Sequence, residues 1–216
     1  MATAFGSAQP RVILRDISWR TYGDLLTDLR DRSAPRLTFD RGVLEIMRPS
    51  REHEQYNTAI ALLVSTVAEE LETDVLNLGS TTYKRSDLMR GFEPDSSFYI
   101  QNLRSVLGKN TLDLTVDPPP DLVIEVDITS ESLDKLPVFA AALSVPEVWR
   151  YDGRRLHILL LAGGSYHESD SSVVLPPLTA RIASEFIAES SALGSTAWLK
   201  KLRHWVRVSG EPPRPV

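Results

Sequence analysis

One strand-forming segment limits the possible folds of this chain more than any other feature. Residues 122–128 follow the prolines at 118–120 and are rich in β-branched side chains, which is typical of a central β-strand. Because side chains alternate between the two faces of a strand, Glu125 and Asp127 share a face with Val123. Unpaired carboxylates are very costly to bury, so both acids need partners. A metal ion, a lysine or an arginine would satisfy them, and so would solvent if the strand lies at a sheet edge.

Helical and strand patterns alternate on both sides of this segment. Their order predicts an α/β (α+β) fold with a mixed β-sheet flanked by helices, with an N-terminal helix and β-hairpin and a C-terminal helical extension. The predicted elements are a helix capped by Ser18, a hairpin at 37–47, a helix capped by Ser50, strands at 75–83 and 95–100, a helix at 137–143, a hairpin at 147–161, and helices at 182–187 and 197–208.

The length of 216 residues favours one domain, which we place at residues 18–208 with a motif-bearing core at about 36–165. Residues 1–17 and the proline-rich residues 209–216 are expected to be flexible. The chain has no cysteine, which excludes disulfides, thiolate nucleophiles and cysteine-ligated metal sites. It shows no secretory signal and no membrane-spanning segment, so we expect a cytoplasmic protein without a membrane partner.

Acidic and basic residues are unevenly distributed along the chain. Asp and Glu outnumber Lys and Arg by 29 to 24, and this net charge of −5 argues against binding nucleic acid through overall charge alone. Seven acids and one base fall within residues 113–135, around the carboxylate strand. We interpret this excess as a metal site without its metal. The basic residues at 200–216 suit either a solvated helix face or, with Arg85 and Arg90, contacts to phosphate.

Two further acids are candidates for the same site. Asp95 follows Pro94 and opens a predicted strand, where an isolated Asp is usually a turn or cap residue. If that strand neighbours the strand of Glu125, the two carboxylates form an oxygen-ligand site suited to Mg²⁺. Glu45 lies in the predicted hairpin, where it either faces solvent or joins the site.

One histidine and one lysine lie where they could reach these acids. His53 is on the apolar stripe of its helix, so we expect it to point towards the sheet, either as a satisfied core histidine or as a site residue. The other histidines lack metal-ligand spacing, which argues against a zinc site. Lys135 follows the carboxylate strand at the entrance of a helix near Pro137, and it is either a surface lysine or a site residue. The chain lacks the phosphate loop, the dinucleotide fingerprint and the nucleophile elbow of other enzyme classes.

Several short motifs occur in a fixed order along the chain. They are LEIM at 44–47, EHE at 52–54, GSTT at 79–82, EPD at 93–95, DLVIEVDITS at 121–130 and VPEVW at 145–149. Together they resemble the Uma family of restriction-endonuclease-like bacterial proteins, which belongs to the PD-(D/E)XK nuclease superfamily. The resemblance covers residues 18–165.

The resemblance implies an endonuclease that hydrolyses DNA phosphodiesters with Mg²⁺ or Mn²⁺. It assigns Asp95 and Glu125 as the catalytic, metal-binding acids. The lysine of the superfamily motif would follow Glu125 by two residues, where this chain has Asp127. Some members carry the lysine on the following helix, which makes Lys135 the candidate third catalytic residue. We group Asp127, Glu45 and His53 as auxiliary residues.

Two other functions remain open. The missing motif lysine and the acidic net charge favour a nuclease fold that no longer cleaves and that acts as a binding or regulatory module, with a homodimer as one possible form. The other is a metal hydrolase that acts on another phosphoester.

Overall fold

The computed structural model describes residues 11–32, 34–128 and 135–209. The expected flexible segments at 1–10 and 210–216, and the acids Glu131 and Asp134, lie outside the described residues. In chain order the elements are β1 (Arg11–Leu14), α1 (Trp19–Leu29), β2 (Arg36–Asp40), β3 (Val43–Met47), α2 (Arg51–Glu70), β4 (Leu76–Asn77), β5 (Tyr83–Arg85), β6 (Arg90–Phe92), β7 (Ser96–Tyr99), α3 (Leu103–Val106), β8 (Leu122–Val126), α4 (Leu136–Val138), β9 (Glu147–Tyr151), β10 (Leu156–Ala162), β11 (Ser165–Ser169), α5 (Ala180–Ser190) and α6 (Ser195–Ser209).

The strands form two sheets rather than one. A five-stranded sheet has the order β1-β3-β2-β6-β5, and a six-stranded sheet has the order β11-β10-β9-β8-β7-β4. The smaller sheet is antiparallel, whereas β8 and β9 run parallel inside the larger one. The larger sheet is therefore mixed and flanked by helices, which confirms the predicted α+β class.

Helix α2 packs its apolar stripe against the larger sheet. Ser50 caps it by accepting a hydrogen bond from the backbone N–H of His53, as the sequence predicted. Its buried residues, among them Ile60 and Val64, belong to one core cluster with Leu122 and Ile124 of β8. Because β8 packs alternate apolar side chains against α2, the residues between them, including Glu125, project from the opposite face of the sheet.

Strand β8 is an inner strand. It pairs with β7 on one side and with β9 on the other, so solvent at a sheet edge is excluded as the partner of its carboxylates. The predicted alternation holds, because Leu122, Ile124 and Val126 lie in the cluster with α2 while Val123 packs in a second cluster on the other face. Glu125 is on the face of Val123 and needs a cation there.

Two predictions about element boundaries were wrong. Residues 11–14 were expected to be flexible, but they form β1 and pair with β3 at the edge of the smaller sheet. The single strand predicted at 75–83 is two strands, β4 in the larger sheet and β5 in the smaller one. The chain turns between the sheets at Gly79, where the backbone φ is +55° and the N–H donates to Asn77 Oδ1. The alternation of polar and apolar residues cannot show that the chain passes from one sheet to the other, since each half has the pattern of a strand.

The basic C-terminal helix packs on the protein rather than standing in solvent on all sides. Arg207 Nε donates to Glu70 Oε2 at 2.6 Å, and Lys201 Nζ donates to Glu189 Oε1 at 2.6 Å, so these bases pair with acids of α2 and α5. The Trp198 indole N–H donates to the carbonyl of Phe186. Within the ranges described above, none of the helices has the length and apolar character needed to cross a bilayer.

Candidate active site

Asp95 and Glu125 lie near each other where two neighbouring strands meet. Strand β7 begins at Ser96, which pairs with Ile124 of β8, and Asp95 directly precedes it. The backbone N–H of Asp95 donates to the carbonyl of Ile124 at 3.2 Å, and its carboxylate accepts from the N–H of Val126, so Asp95 lies beside the segment of β8 that carries Glu125. Both side chains are almost fully enclosed, since Asp95 is 2% and Glu125 7% exposed. The condition under which the sequence predicted a two-carboxylate site is met.

Three groups hold Asp95 in place. Its Oδ2 accepts a hydrogen bond of 2.6 Å from the backbone N–H of Val126, at the end of β8. The imidazole Nε2 of His53 lies 2.9 Å from the same oxygen. The side-chain amide of Asn57 donates to the carbonyl of Asp95 and accepts from the hydroxyl of Ser96. Helix α2 therefore supports the acid through two side chains, of which the sequence indicated only His53.

Glu125 is paired with Lys135. The Nζ of Lys135 donates to Glu125 Oε2 at 2.6 Å, and the two side chains are 11% and 9% exposed. Burial raises the pKa of Glu125, and the positive charge and hydrogen bond of Lys135 act in the opposite direction. The other oxygen, Oε1, is buried and has no hydrogen-bond partner among the described residues. Lys135 is therefore not a surface lysine, and one carboxylate oxygen of Glu125 is left for another partner.

An arginine that the sequence analysis missed reaches the same site from the smaller sheet. Arg36 opens β2, its side chain is 8% exposed, and its Nη1 contacts Asp95 Oδ1. Its Nη2 donates to Glu54 Oε1 of α2 at 2.9 Å. Burial lowers the pKa of the guanidinium, and the nearby carboxylates of Glu54 and Glu125 oppose that effect. The predicted strand began one residue later, at Leu37, so Arg36 was assigned to the preceding loop.

His53 is a neutral, buried histidine in contact with the acid. Its side chain is completely enclosed. Burial lowers its pKa to about 3, and the positive charges of Arg36, Lys135 and Arg11 add to the shift. At neutral pH the imidazole is therefore uncharged and can position Asp95 without neutralising it. His53 is thus buried and faces the acid at the end of the sheet, as its place on the helix stripe predicted, and its role in the site stays a prediction.

The remaining auxiliary acids form a second ionic group beside the first. Glu45 is 1% exposed, so its prediction as a solvent-facing hairpin residue is wrong, and its charge contributes to raising the pKa of Glu125. Arg11 of β1 lies 3.9 Å from Glu45 and 3.9 Å from Asp127. Arg150 of β9 also donates to Asp127, at 3.0 Å. Asp127 is thus engaged by two arginines.

These ion pairs correct the interpretation of the negative net charge. The carboxylates around β8 are already matched by Arg36, Lys135, Arg11 and Arg150, so the site is not an uncompensated acidic surface. The proposed phosphate contacts Arg85 and Arg90 are likewise paired, with Asp87 and Asp40. Among the described residues, the carboxylates of Asp95 and Asp127 are paired with arginines that are distant in sequence but close in space.

The donor set fits a hard divalent cation. Across residues 11–32, 34–128 and 135–209, no three His, Asp or Glu side chains gather in a metal-binding arrangement. Mg²⁺, however, usually takes one or two protein carboxylates and completes its shell with water and substrate phosphate. Asp95 and Glu125 supply two buried carboxylates at the same end of β8, and Glu125 Oε1 is a buried oxygen without a hydrogen-bond partner in the described part of the chain.

The fold and this site define a class of protein. A mixed sheet flanked by helices is the fold that the resemblance to the nuclease superfamily implies. The chain therefore has a nuclease-like fold.

Comparisons with known proteins agree with that class. A family model described as "Uma2: Putative restriction endonuclease" matches residues 19–190, so the chain belongs to the Uma2 family. A crystal structure described as "a putative nuclease belonging to DUF820", from Anabaena variabilis ATCC 29413, is similar with a TM-score of 0.50 and 14% sequence identity. The match covers 88% of this chain and 99% of that chain, and it shows a shared fold. The search of the curated proteins found no match.

Proposed function

We propose that this protein is a metal-dependent endonuclease that hydrolyses phosphodiester bonds in DNA. In this proposal Asp95 and Glu125 bind Mg²⁺ or Mn²⁺, and Lys135 is the third catalytic residue. The observation that carries the proposal is the 2.6 Å contact between Lys135 Nζ and Glu125 Oε2, next to Val126, whose backbone N–H donates to the carboxylate of Asp95. Membership of the Uma2 family supports DNA as the substrate.

The bound cation would polarise the phosphate and lower the pKa of an attacking water. The protein's own groups prepare the site for that chemistry. Lys135 donates a hydrogen bond to Glu125, and as an ammonium group with three N–H donors it could also donate to a water or a phosphate oxygen. Its fixed charge would stabilise negative charge that develops on the phosphate.

Asp95 is oriented by contacts that do not compete with one another. The Val126 N–H donates to Asp95 Oδ2, and the neutral imidazole of His53 contacts the same oxygen. Both groups orient the carboxylate, and neither brings a positive charge that would neutralise it. We therefore assign His53 as a positioning residue. Glu45 and Asp127 are engaged with Arg11, and we assign them to the electrostatic surroundings of the site rather than to metal binding.

Cleavage assays with matched variants test the proposal. Purified protein is incubated with supercoiled plasmid, linear duplex and single-stranded DNA, each with Mg²⁺, with Mn²⁺ and with a chelator. We expect cleavage that requires the metal and that is lost in Asp95→Asn, Glu125→Gln and Lys135→Met. Glu185→Gln is the control, because that acid forms an exposed pair with Arg181 on α5. Absence of cleavage on every substrate, or equal cleavage by Glu125→Gln, would contradict the proposal.

One observation favours the non-cleaving alternative. The carboxylates are already paired with Arg36 and Lys135, so the fold does not need a metal to neutralise the site. A binding module would retain DNA in a gel-shift assay with the chelator present, and Glu125→Gln would leave that binding unchanged. An enzyme would instead require the metal for binding or cleavage and lose it with the same substitution.

A further inference from the structure

Asp95 has one oxygen that a metal could take, and Arg36 holds it. The Oδ2 atom accepts the Val126 N–H at 2.6 Å and faces His53 Nε2 at 2.9 Å. The Oδ1 atom has neither of those contacts, and Arg36 Nη1 lies against it. A cation that binds Asp95 without breaking the anchoring contacts must therefore displace Arg36 from Oδ1.

The guanidinium of Arg36 also pairs with Glu54, and it can keep this pair when it leaves Asp95. Arg36 Nη2 donates to Glu54 Oε1 at 2.9 Å, and the Glu54 side chain is 48% exposed, so this partner leads away from the buried carboxylate pair. An arginine and a divalent cation on the same carboxylate would also repel each other strongly, because this part of the protein is shielded from water. Arg36 and a divalent cation therefore compete for Asp95 Oδ1.

We propose that Arg36 is a built-in competitor that sets the affinity of the site for divalent metal. It pairs with Asp95 Oδ1 in the metal-free protein and yields that oxygen to the metal while it keeps Glu54. This inference rests on the proposed function, since it concerns the same metal site. It names a residue from the smaller sheet as a determinant of that site, which no motif of the chain indicates.

The proposal reverses the usual expectation for a buried site residue. If Arg36 only supported the shape of the site, its removal would weaken metal binding. Competition predicts the opposite, because the Arg36→Met side chain fills similar space and leaves Asp95 Oδ1 open. A hydrogen bond to a charged group contributes enough that its removal should tighten binding by about tenfold or more.

Calorimetric titration with MnCl₂ measures this directly. The proteins are the wild type, Arg36→Met, Asp95→Asn and the double variant, together with Arg90→Met as a control. Arg90 lies in the same sheet, its side chain is 11% exposed, and it pairs with Asp40 rather than with the site. We expect Arg36→Met to bind Mn²⁺ at least about tenfold more tightly than wild type, Arg90→Met to match wild type, and both Asp95→Asn proteins to lose binding.

The outcomes separate the two proposals. If wild type binds Mn²⁺ and Asp95→Asn does not, while Arg36→Met binds equally or more weakly, competition by Arg36 is refuted and the metal site stands. If none of the proteins binds Mn²⁺, or Asp95→Asn binds like wild type, the metal site itself is refuted. Binding by Arg36→Met alone, lost in the double variant, supports competition.

A second measurement covers the case in which Arg36→Met does not fold in metal-free buffer. Circular dichroism is then followed while MnCl₂ is added. Competition predicts that the helical signal of Arg36→Met returns with Mn²⁺, because the metal supplies the positive charge that Arg36 no longer places beside Asp95. The double variant Arg36→Met/Asp95→Asn should show no metal-dependent change. A signal that does not respond in Arg36→Met would overturn the inference.

Discussion

Replacement of Lys135 by Met should destabilise the metal-free protein in a pH-dependent way. The substitution removes the cation that lies 2.6 Å from Glu125 Oε2 and preserves most of the side-chain volume. Removal of one partner from a buried ion pair typically costs about 3–5 kcal/mol, because the other charge is left unpaired. Both side chains are about nine-tenths buried, so this range applies here.

Protonation of Glu125 limits that cost. Burial already raises its pKa from the ordinary value of 4.5, and loss of Lys135 removes a contribution that lowers it. A carboxyl group whose pKa is raised in the folded state stabilises that state fully below the unfolded pKa, and this stabilisation is lost as the pH rises through the folded pKa. We therefore expect a loss of about 3 kcal/mol at neutral pH, the lower end of the range, and a much smaller loss near pH 4.

Urea denaturation with a chelator present, at neutral pH and near pH 4, checks this prediction. Lys201→Met is the matched control, because its pair with Glu189 is 52% and 38% exposed and should contribute less than about 1 kcal/mol. The double variant Lys135→Met/Glu125→Gln should recover most of the loss, since it removes both charges. A loss no greater than that of Lys201→Met, or an equal loss at both pH values, would refute the reasoning.

Two further predictions concern stability away from the carboxylates. Ser144 ends the π-helical turn that follows α4 with a φ of +53°, so Ser144→Gly should raise the free energy of unfolding by up to about 1 kcal/mol, and Ser144→Ala, which keeps the strain, should not. A Cβ at Gly91 would meet the buried ring of Tyr22 at 2.8 Å, so Gly91→Ala should cost about 1–3 kcal/mol, whereas Gly23→Ala, with open space, should not destabilise. Thermal or urea unfolding measures both pairs, and equal behaviour within either pair would contradict the prediction.

Local patterns accounted for most of the elements around the site. The Ser50 cap, the stripe of α2 and the alternation in β8 depend on neighbours within a few residues, so they could be predicted without knowledge of the fold. Lys135 could be predicted for the same reason, because only ten residues separate it from Glu125. The strand at 75–83 failed because its two halves join different sheets.

The identity of the charges that neutralise the site could not be predicted in this way. Arg36 and Arg11 come from the smaller sheet, and they reach Asp95 and Asp127 across a large separation in sequence. Ion pairs have no sequence period, so nothing near either arginine indicates its partner. The acidic window at 113–135 therefore looked uncompensated when read along the chain alone.

The sequence by itself determined that Glu125 would share a strand face with Val123, that Asp95 could join Glu125 if their strands were neighbours, and that a lysine would follow. The tertiary structure decided that β8 is an inner strand which ends at Val126, before the predicted Asp127, that Asp95 lies beside that end of β8, and that Arg36 holds the remaining oxygen of Asp95. Side-chain alternation follows from the geometry of a single strand. Charge compensation follows from which strands the folded chain brings together, because buried charges are stable only beside opposite charges, wherever in the sequence these lie.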